Sequence, residues 1–145
     1  MLFMATVLSV LFTACGDDKD EPELPKTQNL ESVHENENDT YFAFDIDMNK
    51  DESTIYMYNI QFAPGAPSMT LRVNVPVSLD KSGKTYILSG TDLVADMKRG
   101  ESWTPMPGEQ YQLKNLMCTV NPSVKLYSIS FDAHSGHFEN SGKLK

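Results

Sequence analysis

The sequence predicts an all-β domain: an antiparallel up-and-down barrel, or a half-open barrel or sandwich, of about six to eight strands, after a signal segment and a disordered tether. Three observations carry this. Several segments alternate apolar and polar residues with period two, as strands with one buried face do. Pro, Gly, Asn and Asp punctuate them at short spacing, the chemistry of turns. No stretch has the 3.6-residue periodicity of a useful amphipathic helix, and consecutive hairpins favour a meander.

The chain has 145 residues and a net charge of −8, enough for one domain with its own core once a leader is set aside. The charge is unevenly placed. Residues 16–40 carry nine carboxylates, from Asp17 to Asp39, against Lys19 and Lys26, which leaves residues 41–145 nearly neutral. With no basic patch to grip phosphates, nucleic-acid binding is not expected.

Residues 1–14 contain only apolar residues plus Thr6, Ser9 and Thr13. The run is too short to span a bilayer, which needs about 20 apolar residues, but suits the apolar part of an export signal. A basic leader before it is missing, so a start a few codons upstream is expected. Leu11-Phe12-Thr13-Ala14-Cys15 resembles the lipobox of bacterial lipoproteins, with small residues at the two positions before the cysteine and Phe12 in place of the usual Leu. The resemblance implies cleavage before Cys15, acylation of its thiol and amine, and attachment to a lipid bilayer. Several acyl chains matter, because one alone binds a membrane only marginally. The acidic run Gly16-Asp17-Asp18-Lys19-Asp20-Glu21 is similar to the export tag of Bacteroidota-type surface lipoproteins. It implies an outer-membrane, cell-surface location. Residues 15–40, with Pro22, Pro25 and only isolated apolar side chains, read as the lipidated cysteine and a disordered tether. His34 within it reads as a solvated, inert imidazole.

The domain is expected over residues 41–145. Tyr41–Met48 alternates, with Phe42, Phe44, Ile46 and Met48 on one face and Asp45 and Asp47 on the other. Asn49–Glu52 turns the chain, and Thr54–Phe62 follows as an aromatic, β-branched strand. Ala63–Ser68, with two prolines and a glycine, is a loop. Met69–Val77 is a third strand, with Leu71, Val73, Val75 and Val77 on one face and Pro76 marking an edge or terminus. After the turn Asp80–Gly83 comes a strand at Thr85–Ser89. Residues 90–110 are the least regular: Leu93, Val94 and Met97 suit a helical turn or a short strand, and Gly100–Gly108 reads as a loop. Tyr111–Val120 and Val124–Phe131 are strands flanking the turn at Asn121–Ser123. A last strand is expected over Phe138–Leu144, after the turn His134–His137. The order of these features looks like small Bacteroidota lipoproteins with a lipocalin-like, or calycin-like, β-barrel. That resemblance implies a fold but carries no catalytic residues.

Candidate sites are few. Trp103 and Met106, between Pro105 and Pro107, could line a barrel mouth where an apolar ligand or a glycan ring would stack; the alternative is an aromatic plug in the barrel end. Asp45, Asp47, Asn49 and Asp51 have the spacing of a calcium loop, but Lys50 stands where Gly should turn the chain and Tyr56 where a carboxylate should close the site. His134 and His137 could approach one metal ion, with Asp132 the single nearby third donor. Cys118, in Leu116-Met117-Cys118-Thr119-Val120, reads as a small core hydrophobe. No catalytic constellation, cofactor or metal set is expected. The functional expectation is a membrane-anchored, non-catalytic binding module for a glycan, lipid or protein partner. The alternative is a structural or assembly subunit of an outer-membrane complex, with the oligomeric state left open.

Overall fold

Alternation along each strand produces one curled antiparallel sheet whose inner face is the core. The computed structural model describes residues 24–145, so Cys15 and the signal segment 1–14 lie outside the described residues. Ten strands occur among the described residues: β1 (Thr27–Glu31), β2 (Tyr41–Asp47), β3 (Glu52–Ile60), β4 (Met69–Leu79), β5 (Tyr86–Gly90), β6 (Asp96–Arg99), β7 (Ser102–Pro105), β8 (Lys114–Asn121), β9 (Leu126–Ala133) and β10 (Gly136–Lys143). Eight run in the order β1-β2-β3-β4-β5-β8-β9-β10 as a half-barrel. The β6–β7 hairpin branches off β4.

The expected faces of β2 and β4 hold for Phe42, Phe44, Ile46, Leu71, Val73 and Val75, which are buried in one cluster, while Met48 and Val77 are only partly buried against it. Tyr127, Ile129 and Phe131 of β9, for which alternation assigns no clear face, join the same cluster. Cys118 of β8 belongs to it, and burial pushes its thiol well above the ordinary range, the behaviour of a core residue. Pro76 sits where β4 exchanges partners: it is the last residue registered with β3, and Val77 is the first registered with β5.

Two differences from the sequence reading concern order. Thr27–Glu31 falls in the stretch expected to be a tether, yet it forms β1, paired with β2 from Thr27↔Asp47 to Glu31↔Ala43. Tyr86, fully buried, reaches out of the core to fasten this segment: its hydroxyl donates to the Pro25 carbonyl oxygen at 2.6 Å. The ordered domain therefore begins well before residue 41. Residues 96–105, expected to be irregular, form β6 and β7, with Asp96↔Pro105 to Arg99↔Ser102 in register and Gly100 in the turn at φ 63°.

The first and last strands meet at a single antiparallel bridge, Ser32↔Leu144. It is flanked by Val33 N–H donating to Lys143 O (2.8 Å) and Lys145 N–H donating to Glu31 O (2.9 Å). Ser32 is fully buried, and its Oγ accepts the Phe42 N–H at 2.8 Å. Inside the seam, the Tyr127 ring lies over Gly142, its cross-strand partner, where a β-carbon would come within 3.2 Å of ring atoms. The same ring packs against Phe42 (5.5 Å between centroids) and Phe44 (5.7 Å), and its hydroxyl donates to Asn140 Oδ1 at 2.7 Å. An aromatic covering a strand glycine compensates for its missing side chain.

The seam predicts two outcomes. Ser32→Ala leaves the buried Phe42 N–H without its acceptor and should cost about 1–3 kcal/mol. Gly142→Val drives a branched side chain into a ring held on three sides and should cost at least as much, about 1–3 kcal/mol of overpacking. Urea unfolding followed by far-UV circular dichroism measures both. Unchanged midpoints would mean that the seam contributes nothing to stability.

Candidate functional site

Chain direction alternates from strand to strand, so the connections collect at two ends. The turns 48–51, 80–85 and 122–125 form one end, and the connections 32–40, 61–68 and 91–113 join the turn 134–135 at the other. All three notable clefts open at this second end.

Phe62, just past β3, divides the mouth. Its ring lies 6.4 Å from Tyr111 and, edge-on, 6.3 Å from Phe131. On one side is a cleft of about 320 Å³ against Phe131, Phe138 and His137. On the other is a cleft of about 290 Å³ against Met69, Met97, Met106 and Tyr111. Phe62 and Ala63 line both. Apolar walls with methionines are typical of sites that adapt to an apolar ligand.

The two residues expected to share the mouth are separated. Met106 is buried, donates its N–H to Ala95 O (2.9 Å) and lines the Met69 cleft. Trp103 lies on the outer face instead. The separation of three residues explains the difference, because extended residues an odd number apart point to opposite faces. Trp103 shares its face with Lys98, its partner in register, and the Arg72 guanidinium sits 4.4 Å over the ring.

Trp103 ends a row of rings across the outer face. His34 stacks on Tyr41 (3.8 Å), Tyr41 on Tyr58 (4.4 Å), Tyr58 lies 6.5 Å from Tyr56, and Tyr56 meets Trp103 edge-on at 6.1 Å. In the close stacks the ring faces are occupied by one another. His34, expected to be solvated, is thus half-buried in a stack, and its Nδ1 lies 3.1 Å from Asn36 O. Asn59, at φ 56° beside a register shift in β3, anchors the loop beneath the row through hydrogen bonds from Nδ2 to Glu37 O and Asp39 O.

The third cleft is lined mainly by residues with polar side chains, whose stems leave it mixed in character. It encloses about 510 Å³ beside the β9–β10 turn, between Gln110, Gln112, Lys114, Asn115, Asp132 and His137. His134 and Ser135 form that turn with φ of 49° and 63°. Positive φ at both central residues defines a type I′ hairpin, where Asn-Gly would be cheaper. The surroundings hold this turn in place: the His134 N–H donates to Gln110 O (2.9 Å), and its ring stacks on Tyr111 at 5.2 Å. His137 turns elsewhere, with Nδ1 at 2.6 Å from Asp132 Oδ1. The two imidazoles considered as a metal pair therefore have different partners, and no cluster of three or more potential metal-ligating side chains occurs among the described residues. Asn115, at φ 51° in a register shift of β8, donates from Nδ2 to Asp132 Oδ2 at 3.1 Å. A bulge re-aims a side chain in this way. Lys114 pairs with Asp92.

At the calcium-like spacing, Asp45 and Asp47 belong to β2. Asp47 is engaged locally, accepting the Asn49 N–H at 3.0 Å and pairing with Lys50 at 3.8 Å.

No family model matches this chain, and neither a curated protein nor a solved structure matches it.

The Asp132–His137 pair has a pH signature. The carboxylate hydrogen bond raises the His137 pKa above the ordinary 6.5, and the same bond, followed by that from Asn115, lowers the Asp132 pKa. The raised imidazole contributes stability that is fully present below its unfolded value and is lost as pH rises through its folded value. The lowered carboxylate contributes above its own unfolded value, and that share is lost on acidification. Asp132→Asn should therefore move the NMR titration midpoint of His137 down toward 6.5. A midpoint that did not move would mean that the pair is not formed in solution.

Proposed function

We propose that the chain is a membrane-anchored, non-catalytic binding module that holds a small apolar ligand in the mouth of its half-barrel. The observation that carries this reading is the pair of open clefts around Phe62, walled by Met69, Met97, Met106, Tyr111, Phe131 and Phe138. Apolar walls exposed to solvent cost free energy unless something covers them. Anchoring rests on the lipobox-like run ending at Cys15, and the acidic residues after it favour an outer-membrane, cell-surface location. Cys118 lies in the core, where burial raises its pKa and keeps it a thiol out of reach of a ligand.

Filling the shared wall tests the reading. The neutral, environment-sensitive dye N-phenyl-1-naphthylamine should gain fluorescence with the wild type. Ala63→Trp, which intrudes on both clefts, should weaken binding at least tenfold (about 1.4 kcal/mol). A dye that binds both proteins equally, or neither, would remove the mouth as a ligand site. For the anchor, metabolic labelling with a palmitate analogue should mark the wild type and not Cys15→Ser; label persisting in the variant would exclude acylation at this residue.

One observation favours the assembly-subunit alternative. Leu144 donates its N–H to Lys125 O on the β9 side. By alternation, His137, Glu139 and Ser141 aim their backbone groups away from β9, along an edge that the Ser32↔Leu144 bridge leaves open. An added strand would pair there. Glu139, exposed at the centre of that edge, opposes pairing with a second copy of itself.

A further inference from the structure

The apolar clefts and the polar pocket are neighbours with shared walls. His134 lines both the Met69–Met106 cleft and the polar pocket, and His137 lines both the Phe131–Phe138 cleft and the polar pocket. A ligand seated against Phe62 therefore has a polar compartment of about 510 Å³ beside it. We infer that the mouth takes an amphiphile with a neutral, hydroxyl-rich head, such as a glycoside of an apolar aglycone, its tail against Phe62 and its sugar against Asp132 and Asn115.

The chemistry of the pocket selects the head. Its cation is already matched, because Lys114 is paired with Asp92, and the Asp132 charge faces His137. No unmatched cation is left to balance a phosphate or sulfate head. The Glu109 carboxylate also borders the pocket and disfavours an anionic head, so hydrogen-bonding capacity is what a neutral head would use. A carboxylate has about four acceptor positions. Two at Asp132 are used, by His137 Nδ1 and by Asn115 Nδ2. The Asn115 amide keeps a second N–H and its carbonyl oxygen, and Gln110 and Gln112 add further amides to the wall. Carboxylate and carboxamide side by side can accept from one hydroxyl and donate to its neighbour, which suits a vicinal diol. The tight turn and the Asn115 bulge hold these groups on backbone rather than on mobile side chains alone, which limits the entropy lost on binding.

This inference rests on the mouth reading, and the test separates the two. Full-length protein is titrated by calorimetry with n-octyl β-glucoside below its micelle concentration, n-octanol, n-octyl phosphate and glucose. Plain apolar capture favours the more hydrophobic octanol. The inference instead expects the glucoside to bind at least tenfold more tightly than octanol, and the phosphate no better than octanol. Asp132→Ala and Gln110→Ala, each checked for folding by circular dichroism, should reduce the preference for the glucoside while leaving octanol binding in place. Equal or stronger binding of octanol in the wild type would overturn the sugar assignment and leave the mouth as a plain apolar site. A glucoside preference that survived both substitutions would overturn the assignment to this pocket. Binding of the phosphate as tight as the glucoside would overturn the choice of a neutral head. Failure of both octanol and the glucoside to bind would overturn the mouth reading and this inference together.

Discussion

The structure depends on the meeting of its two ends around one aromatic ring. Tyr127 projects from β9 and lies over Gly142 of β10 to touch Phe42 and Phe44 of β2. It spans the gap between the last strands and the first ones from within. Ser32, buried beside it, supplies the backbone bridge and the side-chain acceptor for Phe42. A sheet of eight strands in one path has a left and a right edge, each a row of backbone groups seeking partners. Among the described residues the edges are bridged where Ser32 meets Leu144, so the curl is held by one bridge, two flanking hydrogen bonds, the Lys145–Glu31 ion pair and a stack of rings.

Much of the fold was legible because period two is a direct record of burial. The faces of β2 and β4 follow from alternation, and the hairpins follow from the turn chemistry between their strands. β1 was not legible for the same reason. Its only apolar residue is Leu30, and what holds it is backbone pairing to β2 and the distant Tyr86 hydroxyl, neither of which leaves a local hydrophobic pattern. The β6–β7 hairpin escaped because four-residue strands are too short to show periodicity, and Pro105 disguised the second of them.

The site was half legible. Met106 and Pro107 do border the Met69 cleft, whereas Trp103, three residues away in sequence, lies on the outer face. The central residue, Phe62, closed a strand in the sequence reading and showed no sign of facing a cleft; its companions Met69, Met97, Tyr111 and Phe131 come from four separate segments. Asp132, His134 and His137 did stand out as a group. Their true relation, one imidazole on a carboxylate and the other on a tyrosine ring, depends on the positive-φ turn between them. Asn115 was invisible, because only the bulge turns it toward Asp132. An asparagine inside an otherwise regular strand was the available clue, there and at Asn59.

The bridge that joins Ser32 to Leu144 also sets an order of events during synthesis. The ion pair beside it, Lys145 Nζ to Glu31 Oε1 at 3.0 Å, spans 114 positions of chain. Hairpins from β2 to β5 contact near neighbours and can form while the chain is still emerging, but the ends cannot be tied until residues 143–145 have left the ribosome. Contacts of such long separation carry a loop-closure entropy that is met only late, and they slow folding. Until then the nascent chain is an open ribbon with its aromatic interior uncovered. A chaperone that binds extended, apolar strands would have its substrate until residues 143–145 emerge, and the tie they make would end that exposure.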